Sequence, residues 1–97
     1  MKNYENIYIL KGSLTEEQAK NEIEEITKYF KDVKTFKNEE SLNGYQGKKN
    51  LAYEIKGEKT GYYNITYFEG IEKNVTEIER NLRINDNVMK FITIQID

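Results

Sequence analysis

The chain has 97 residues, 15 basic and 17 acidic side chains with a formal net charge of −2, and neither cysteine nor histidine. At this length we expect residues 1–97 to form one domain with a modest core. The missing residue types exclude disulfides, thiolate metal sites and a histidine general base, and the near-neutral charge argues against strong, self-sufficient binding of nucleic acid.

The N-terminal residues predict a central strand. Residues 3–10, NYENIYIL, are rich in isoleucine and tyrosine, and both faces of such a strand would carry apolar groups. Because side chains alternate along a strand, two sets point to opposite sides of the sheet. These sets are Tyr4, Tyr8 and Leu10 on one side, and Ile7 and Ile9 on the other.

A helix is predicted after the break at Lys11-Gly12-Ser13. Thr15 and Gln18 have the spacing of a capping box, in which each side chain bonds the other residue's backbone amide. Apolar residues then recur at intervals of four, three and four, which places them on one helix face. They are Ala19, Ile23, Ile26 and Phe30.

The remaining elements follow the same two periodicities. Extended segments are predicted at residues 33–40, 51–55, 62–68 and 88–96, with a hairpin loop at 56–61. A second amphipathic helix is indicated by the spacing of Ile71, Val75, Ile78 and Leu82. In the last strand we expect two opposing faces, formed by Val88, Ile92, Ile94 and Ile96 and by Met89 and Phe91.

The resulting order of elements is βαββαβ, which predicts an α+β, ferredoxin-like split-βαβ fold. Its sheet has four antiparallel strands, and both helices cover one face. Right-handed crossovers place the first and third strands in the centre. The other face of the sheet is left without helices, and aromatic or apolar groups there invite a partner.

The sequence predicts no catalytic site. The glutamates of the first helix lie on its polar side, where pairing with lysine explains them. There is no glycine-rich phosphate loop, nucleophile elbow or metal-ligand cluster. Acylphosphatases share the topology but need an anion loop with an arginine, and residues 10–17, LKGSLTEE, contain none. We therefore expect no enzyme activity, no cofactor and no metal.

The basic and aromatic residues leave several interpretations open. The cations considered for phosphate contact are Lys2, Lys48, Lys49, Arg80, Arg83 and Lys90. Lysines on an edge strand also discourage aggregation, and arginines late in a helix also serve its dipole. Tyrosines at 62 and 63 could stack on RNA bases or fill core positions. From the residues alone, the chain is an interaction module with RNA as one candidate partner.

Four segments, in this order, resemble bacterial small-subunit ribosomal protein six: YENIYIL, GKKNLAYEI, GYYNITYF and ERNLRINDNVMKFITIQ. They cover essentially the whole chain. The resemblance implies a structural component of the ribosome, without catalytic activity, that binds the central domain of small-subunit rRNA together with ribosomal protein eighteen. It also implies no membrane partner and no small-molecule substrate.

The resemblance carries roles to residues at matching positions. Lys48 and Lys49 occupy the family's basic site before Leu-Ala-Tyr, Lys2 matches its basic N-terminus and Arg83 its Leu-Arg pair. We expect these cations, with Arg80 and Lys90, to contact RNA or the partner. Partner-facing aromatics are expected at Tyr4, Tyr62 and Tyr63.

Two departures from the family pattern are visible. Asn50 stands where many relatives place a basic residue, and the 38–47 segment is longer than expected. With no membrane-spanning apolar run and no signal-peptide pattern at the N-terminus, the expected location is the cytoplasm.

Overall fold

The computed structural model describes residues 1–96 and contains two α-helices and five antiparallel strand segments. A single 3₁₀ turn, Lys28–Phe30, follows the first helix directly. The helices and strands are β1 Lys2–Lys11, α1 Glu16–Thr27, β2 Lys34–Phe36, β3 Gly44–Ile55, β4 Glu58–Gly70, α2 Glu72–Ile84 and β5 Val88–Gln95. Neither helix is long and apolar enough to cross a membrane within the described residues.

The five strand segments occupy only four places across the sheet, because β2 and β3 share one of them. β1 and β4 are central, β5 lies outside β1, and both β2 and β3 lie along the outer side of β4. β2 pairs with residues 67–69 of β4, and β3 pairs with residues 58–65. The predicted second strand is therefore divided by a loop, residues 37–43. The predicted fold class and the central position of the first and third strands are confirmed.

Three predicted boundaries change. The extended segment predicted at 33–40 is only the short strand Lys34–Phe36. β3 begins at Gly44 rather than at residue 51, and the predicted 56–61 loop is only a two-residue turn. Lys56 and Gly57 both have positive φ, 49° and 81°. Positive φ at both central residues is the signature of the type I′ turn, whose twist matches that of paired strands. The remaining residues of the predicted loop belong to β4.

Both helices pack on one side of β1 and β4, as predicted. The Tyr4 and Phe68 rings stack at 5.3 Å between centroids, and Phe30 meets Phe68 edge-on at 5.6 Å. Buried Asn6 donates from Nδ2 to Thr93 Oγ1 at 2.9 Å. The core consists of Tyr4, Tyr8, Leu10, Ala19, Ile26, Phe30, Tyr62, Phe68, Ile78, Leu82 and Val88.

A bulge in β5 corrects the predicted faces of the last strand. Ile9 is opposite Lys90, but Leu10 is opposite Val88, so Met89 is an extra residue. Val88 and Phe91 therefore both pack with the core on the helix side. Met89 instead lies beside Ile9, near Gly61, on the side away from the helices.

The predicted capping box is present and supplies a test of the first helix. The Thr15 hydroxyl accepts from the Gln18 amide at 3.1 Å, and Gln18 Oε1 accepts from the Thr15 amide at 2.9 Å. We expect Thr15→Ala to lower the free energy of unfolding by about 1 kcal/mol. The control is Thr76→Ala at an exposed position of α2, which removes only a hydrogen bond to the Glu72 carbonyl. Equal losses in denaturant unfolding would contradict the capping role.

Candidate nucleic-acid and partner interface

The sheet face opposite the helices, here called the open face, carries a row of isoleucines. Ile65, Ile7 and Ile92 are direct neighbours across β4, β1 and β5. Ile94 follows on β5, and Ile92 and Ile94 keep 50% and 44% of their surface exposed. These four residues are called the apolar stripe. Exposed apolar groups in a contiguous row indicate a surface for a partner.

One end of the open face is basic and aromatic. Lys49 and Lys11 lie on either side of Gly61, and Lys90 lies opposite Ile9 in the next row. The Lys49 ammonium is 5.8 Å from the centre of the Tyr63 ring. We call this set the basic end: Lys11, Lys49, Lys90, Tyr53 and Tyr63.

Tyr53 connects the β3–β4 hairpin to β5 across the open face. Lys90 Nζ donates to Tyr53 Oη at 2.9 Å, so the ammonium is held at the phenol oxygen. This hydrogen bond raises the pKa of Lys90 above its ordinary value of 10.5. Lys90 is also exposed, so its ammonium is available to an anion.

The opposite end of the open face is acidic and partly covered. The Tyr67 hydroxyl is 2.7 Å from both Glu5 Oε2 and Ser41 Oγ, which fixes the 37–43 loop over the sheet. Burial raises the pKa of the Tyr67 phenol. Inside the loop, Asn43 donates to the carbonyls of Asn38 and Ser41 at 2.7 and 2.8 Å. The longer segment noted in the sequence thus includes a loop, residues 37–43, that covers Tyr67 at this end of the open face.

The carboxylates around that cover define an acidic end. Glu5 pairs with Tyr67 across β1 and β4, and Glu69 lies on the same face two residues further along β4. The loop itself adds Glu39 and Glu40. Lys34 lies opposite Glu69, and Lys37 also belongs to the loop. The basic end of the open face therefore carries cations, whereas the other end carries four carboxylates and two lysines.

Lys48 lies on the opposite side of the sheet from Lys49, because neighbouring residues in a strand alternate. Its ammonium is 5.6 Å from the centre of the Tyr62 ring. Tyr62 stacks on Tyr45 at 6.5 Å, and Lys20 of α1 covers the Tyr45 ring at 5.6 Å. We call this series, Lys20, Tyr45, Tyr62 and Lys48, the helix-side stack.

The sequence-predicted site residues do not form one patch. Lys49 and Lys90 share the basic end, whereas Lys2 is at the other end of β1, nine residues and about 30 Å from Lys11. Arg83 belongs to the helix side, where its guanidinium is 5.5 Å from the Phe91 ring centre. Arg80 is one turn earlier on α2.

Two of the three predicted partner-facing aromatics are corrected. Tyr4 and Tyr62 are only 6% and 3% exposed and belong to the core between sheet and helices. Tyr62 also donates its hydroxyl to the Leu14 carbonyl at 2.7 Å. Tyr63, the neighbour of Tyr62, is half-buried on the open face. Because side chains alternate along a strand, two adjacent tyrosines point to opposite faces, so only one of them can lie on the open face.

Three residues of the site were missed by reasoning from sequence. Lys11, Lys20 and Tyr53 reach the two clusters only through strand pairing and helix packing. Lys11 could have been found from the alternation of β1, which continues past Ile9 to the same face. Among the described residues, no cluster of acidic side chains could hold a metal ion.

The fold and these surfaces define a split-βαβ protein whose open face has apolar and basic surfaces suited to binding another macromolecule. Residues 3–95 match the family model described as ribosomal protein S6. The chain belongs to the ribosomal protein S6 family, as the resemblance implied. Since the family consists of ribosomal proteins, the prediction that the chain is not an enzyme is also confirmed.

Individual relatives agree with this assignment. Small ribosomal subunit protein bS6 of Helicobacter acinonychis (strain Sheeba) is 44% identical over 100 residues, which cover all of this chain and 66% of that protein. The bS6 protein of Helicobacter hepaticus is 39% identical and is covered over 69% of its length. The chain thus spans about two thirds of the length of these relatives.

A solved structure has the same architecture. The crystal structure of 30S ribosomal protein S6 from Thermotoga maritima superimposes with a TM-score of 0.84 at 25% sequence identity. The match covers 98% of this chain and 87% of that one.

The Tyr53–Lys90 contact can be tested by titration. Tyr53→Phe removes the phenol oxygen, so we expect the pKa of Lys90 to fall towards 10.5. Because the folded-state pKa is raised, the contact stabilises the fold fully below pH 10.5 and is lost as the pH rises through the folded pKa. NMR titration of the Lys90 side chain measures this pKa in the unsubstituted chain and in Tyr53→Phe. Tyr45→Phe on the helix side is the control. An unchanged Lys90 pKa in Tyr53→Phe would show that the contact does not form.

Proposed function

We propose that the protein is a structural constituent of the small ribosomal subunit in the cytoplasm, where it binds the central domain of small-subunit rRNA together with ribosomal protein eighteen. Membership of the ribosomal protein S6 family supports the ribosomal role. The polarised open face is the single observation that supports binding as a pair. It offers one surface suited to phosphate and another suited to a protein.

The charge of the chain favours a shared RNA site over an independent one. Phosphate binding depends on the number of cations that a protein presents, and this chain has a net charge of −2. The basic end supplies a few lysines, which is enough to orient the contact. A basic partner would supply the rest of the neutralisation, while this chain contributes shape and a docking surface.

The apolar stripe and the acidic end together suit a basic protein. Burial of Ile92 and Ile94 would remove exposed apolar surface from water, the main favourable contribution in association. The excess of carboxylates over lysines at the acidic end would favour a cationic partner over RNA there. We place the protein partner on the stripe and the RNA at the basic end of the sheet.

The alternative of a stand-alone RNA reader that stacks bases on its sheet has less support. Such readers expose aromatics on their central strands. Here Tyr62 is buried, and the Tyr63 ring lies beneath the Lys49 ammonium. A protein-interaction module without RNA would leave the basic end unexplained.

Reconstitution tests the proposal directly. Size-exclusion chromatography of the chain with ribosomal protein eighteen and a central-domain rRNA fragment should give a ternary complex. Affinity purification of the tagged protein from cells should recover small subunits. A protein found only as a free pool, with no ternary complex in vitro, would overturn the ribosomal role.

Ile92→Asp tests the apolar stripe. A buried charge without a counter-ion is costly, so we expect binding of ribosomal protein eighteen to weaken at least about tenfold, measured by calorimetry. Ile92 is half exposed in the free chain, and its replacement should leave the protein folded. The matched control is Ile84→Asp at the end of α2, where the side chain is 72% exposed away from the stripe. Equal affinities for the two variants would contradict the assignment of the stripe.

A further inference from the structure

We infer that the sugar–phosphate backbone of the RNA runs along the outer edge of β3 and contacts Lys48 and Lys49 from the side. This inference rests on the proposed function and specifies its RNA site. A ligand that lies flat on either face of the sheet meets only one of these lysines, since their side chains leave β3 in opposite directions. Only a ligand at the edge can reach both.

The outer edge of β3 is open to such an approach. Within the described residues, β3 pairs only with β4, which leaves its other side without a strand. Gly44 and Gly47 have φ of +74° and +83°, and the positions where their Cβ atoms would stand have no heavy atom within 4 Å. Glycine accommodates this positive φ, which other residues rarely adopt, and it leaves these two positions of the edge strand without side chains. Residues 48–50 follow directly and are all exposed.

Aromatic rings position the two lysines at this edge. Lys48 lies against Tyr62, whose ring is fixed by the core and by the hydroxyl bond to Leu14. Lys49 lies against Tyr63 on the other side. Rings beneath both ammonium groups restrict their side chains, so less conformational entropy is lost when phosphate binds. If these edge lysines served only to prevent aggregation, contacts with aromatic rings would not be needed.

Neighbouring charges limit the path of the RNA. Lys20 adds a cation on the helix side, although it also pairs with Glu16 at 3.4 Å. Lys90 and Lys11 add cations on the open face. Beyond the edge, Glu54 stands near the hairpin turn, and the 37–43 loop brings carboxylates at the other end. The favourable stretch is residues 44–50, about 20 Å of strand.

The chemistry of this edge predicts contact with phosphates and not with bases. Lysine is a point charge without the planar fork that reads guanine, and neither edge glycine offers a side chain. Contacts of this kind set the position and orientation of an RNA without reading its sequence. Their strength should depend steeply on salt.

Single substitutions separate an edge site from a face site. The probe is the full chain with ribosomal protein eighteen and a central-domain rRNA fragment, measured over a series of salt concentrations. We expect Lys48→Gln and Lys49→Gln each to reduce the slope of log K against log salt by about 0.7–0.9, and the double variant by about twice that amount. Lys73→Gln, an exposed lysine of α2, is the control and should leave the slope unchanged.

Each other outcome has a definite meaning. If only one of the two single variants changes the slope, the RNA lies on one face of the sheet, and the edge site is overturned while the ribosomal role stands. If neither changes it in a complex that still forms, the edge does not touch RNA. Failure of the unsubstituted chain to bind overturns both proposals.

Hydrogen exchange gives an independent measurement that requires no substitution. RNA seated on the edge should slow amide exchange at residues 47–50 when it is added to the protein pair. Exchange at these amides that is unaffected by RNA would overturn the edge site, even if the lysine variants weaken binding by a general electrostatic effect.

Discussion

The register between β1 and β4 is the constraint on which the rest of the structure depends. These central strands pair without interruption from Lys2 opposite Gly70 to Lys11 opposite Gly61. Side chains alternate with a period of two, so a slip by one residue would exchange the two faces. The observed register sends Tyr8 and Leu10 to the helices, and it leaves Ile7 and Ile9 for the open face.

The basic end depends on a local departure from that regularity. By strict alternation along β5, Val88 would lie on the same face as Lys90 and Ile92. The extra residue at Met89 instead turns Val88 into the core while Lys90 stays opposite Ile9. Gly61 makes room beside it, because a Cβ there would stand 2.4 Å from Ile9 Cγ2. One bulge and one glycine therefore allow a filled core and a lysine beside Tyr53 in the same strand.

The sequence was sufficient for the order of elements and for most of the core, since two helices and the central strands have strong periodicities. It predicted two separate pieces of the second strand but not their bounds, because the 37–43 excursion is fixed by contacts with Tyr67 from a distant strand. Nor could it decide which of Tyr62 and Tyr63 is buried, since alternation separates them without choosing a side. The basic end required the register of four strands, which no local pattern contains.

Distance explains how a chain with a net charge of −2 can offer separate surfaces to RNA and to a protein. At physiological ionic strength, charges are screened beyond about 8 Å. β1 extends about 30 Å from the acidic end to the basic end, with the uncharged apolar stripe between them. The two ends therefore act on their own neighbours, and their cancellation in the total charge has little effect on either. A near-neutral composition is compatible with a locally basic end of the sheet when strand pairing collects lysines that are far apart in sequence.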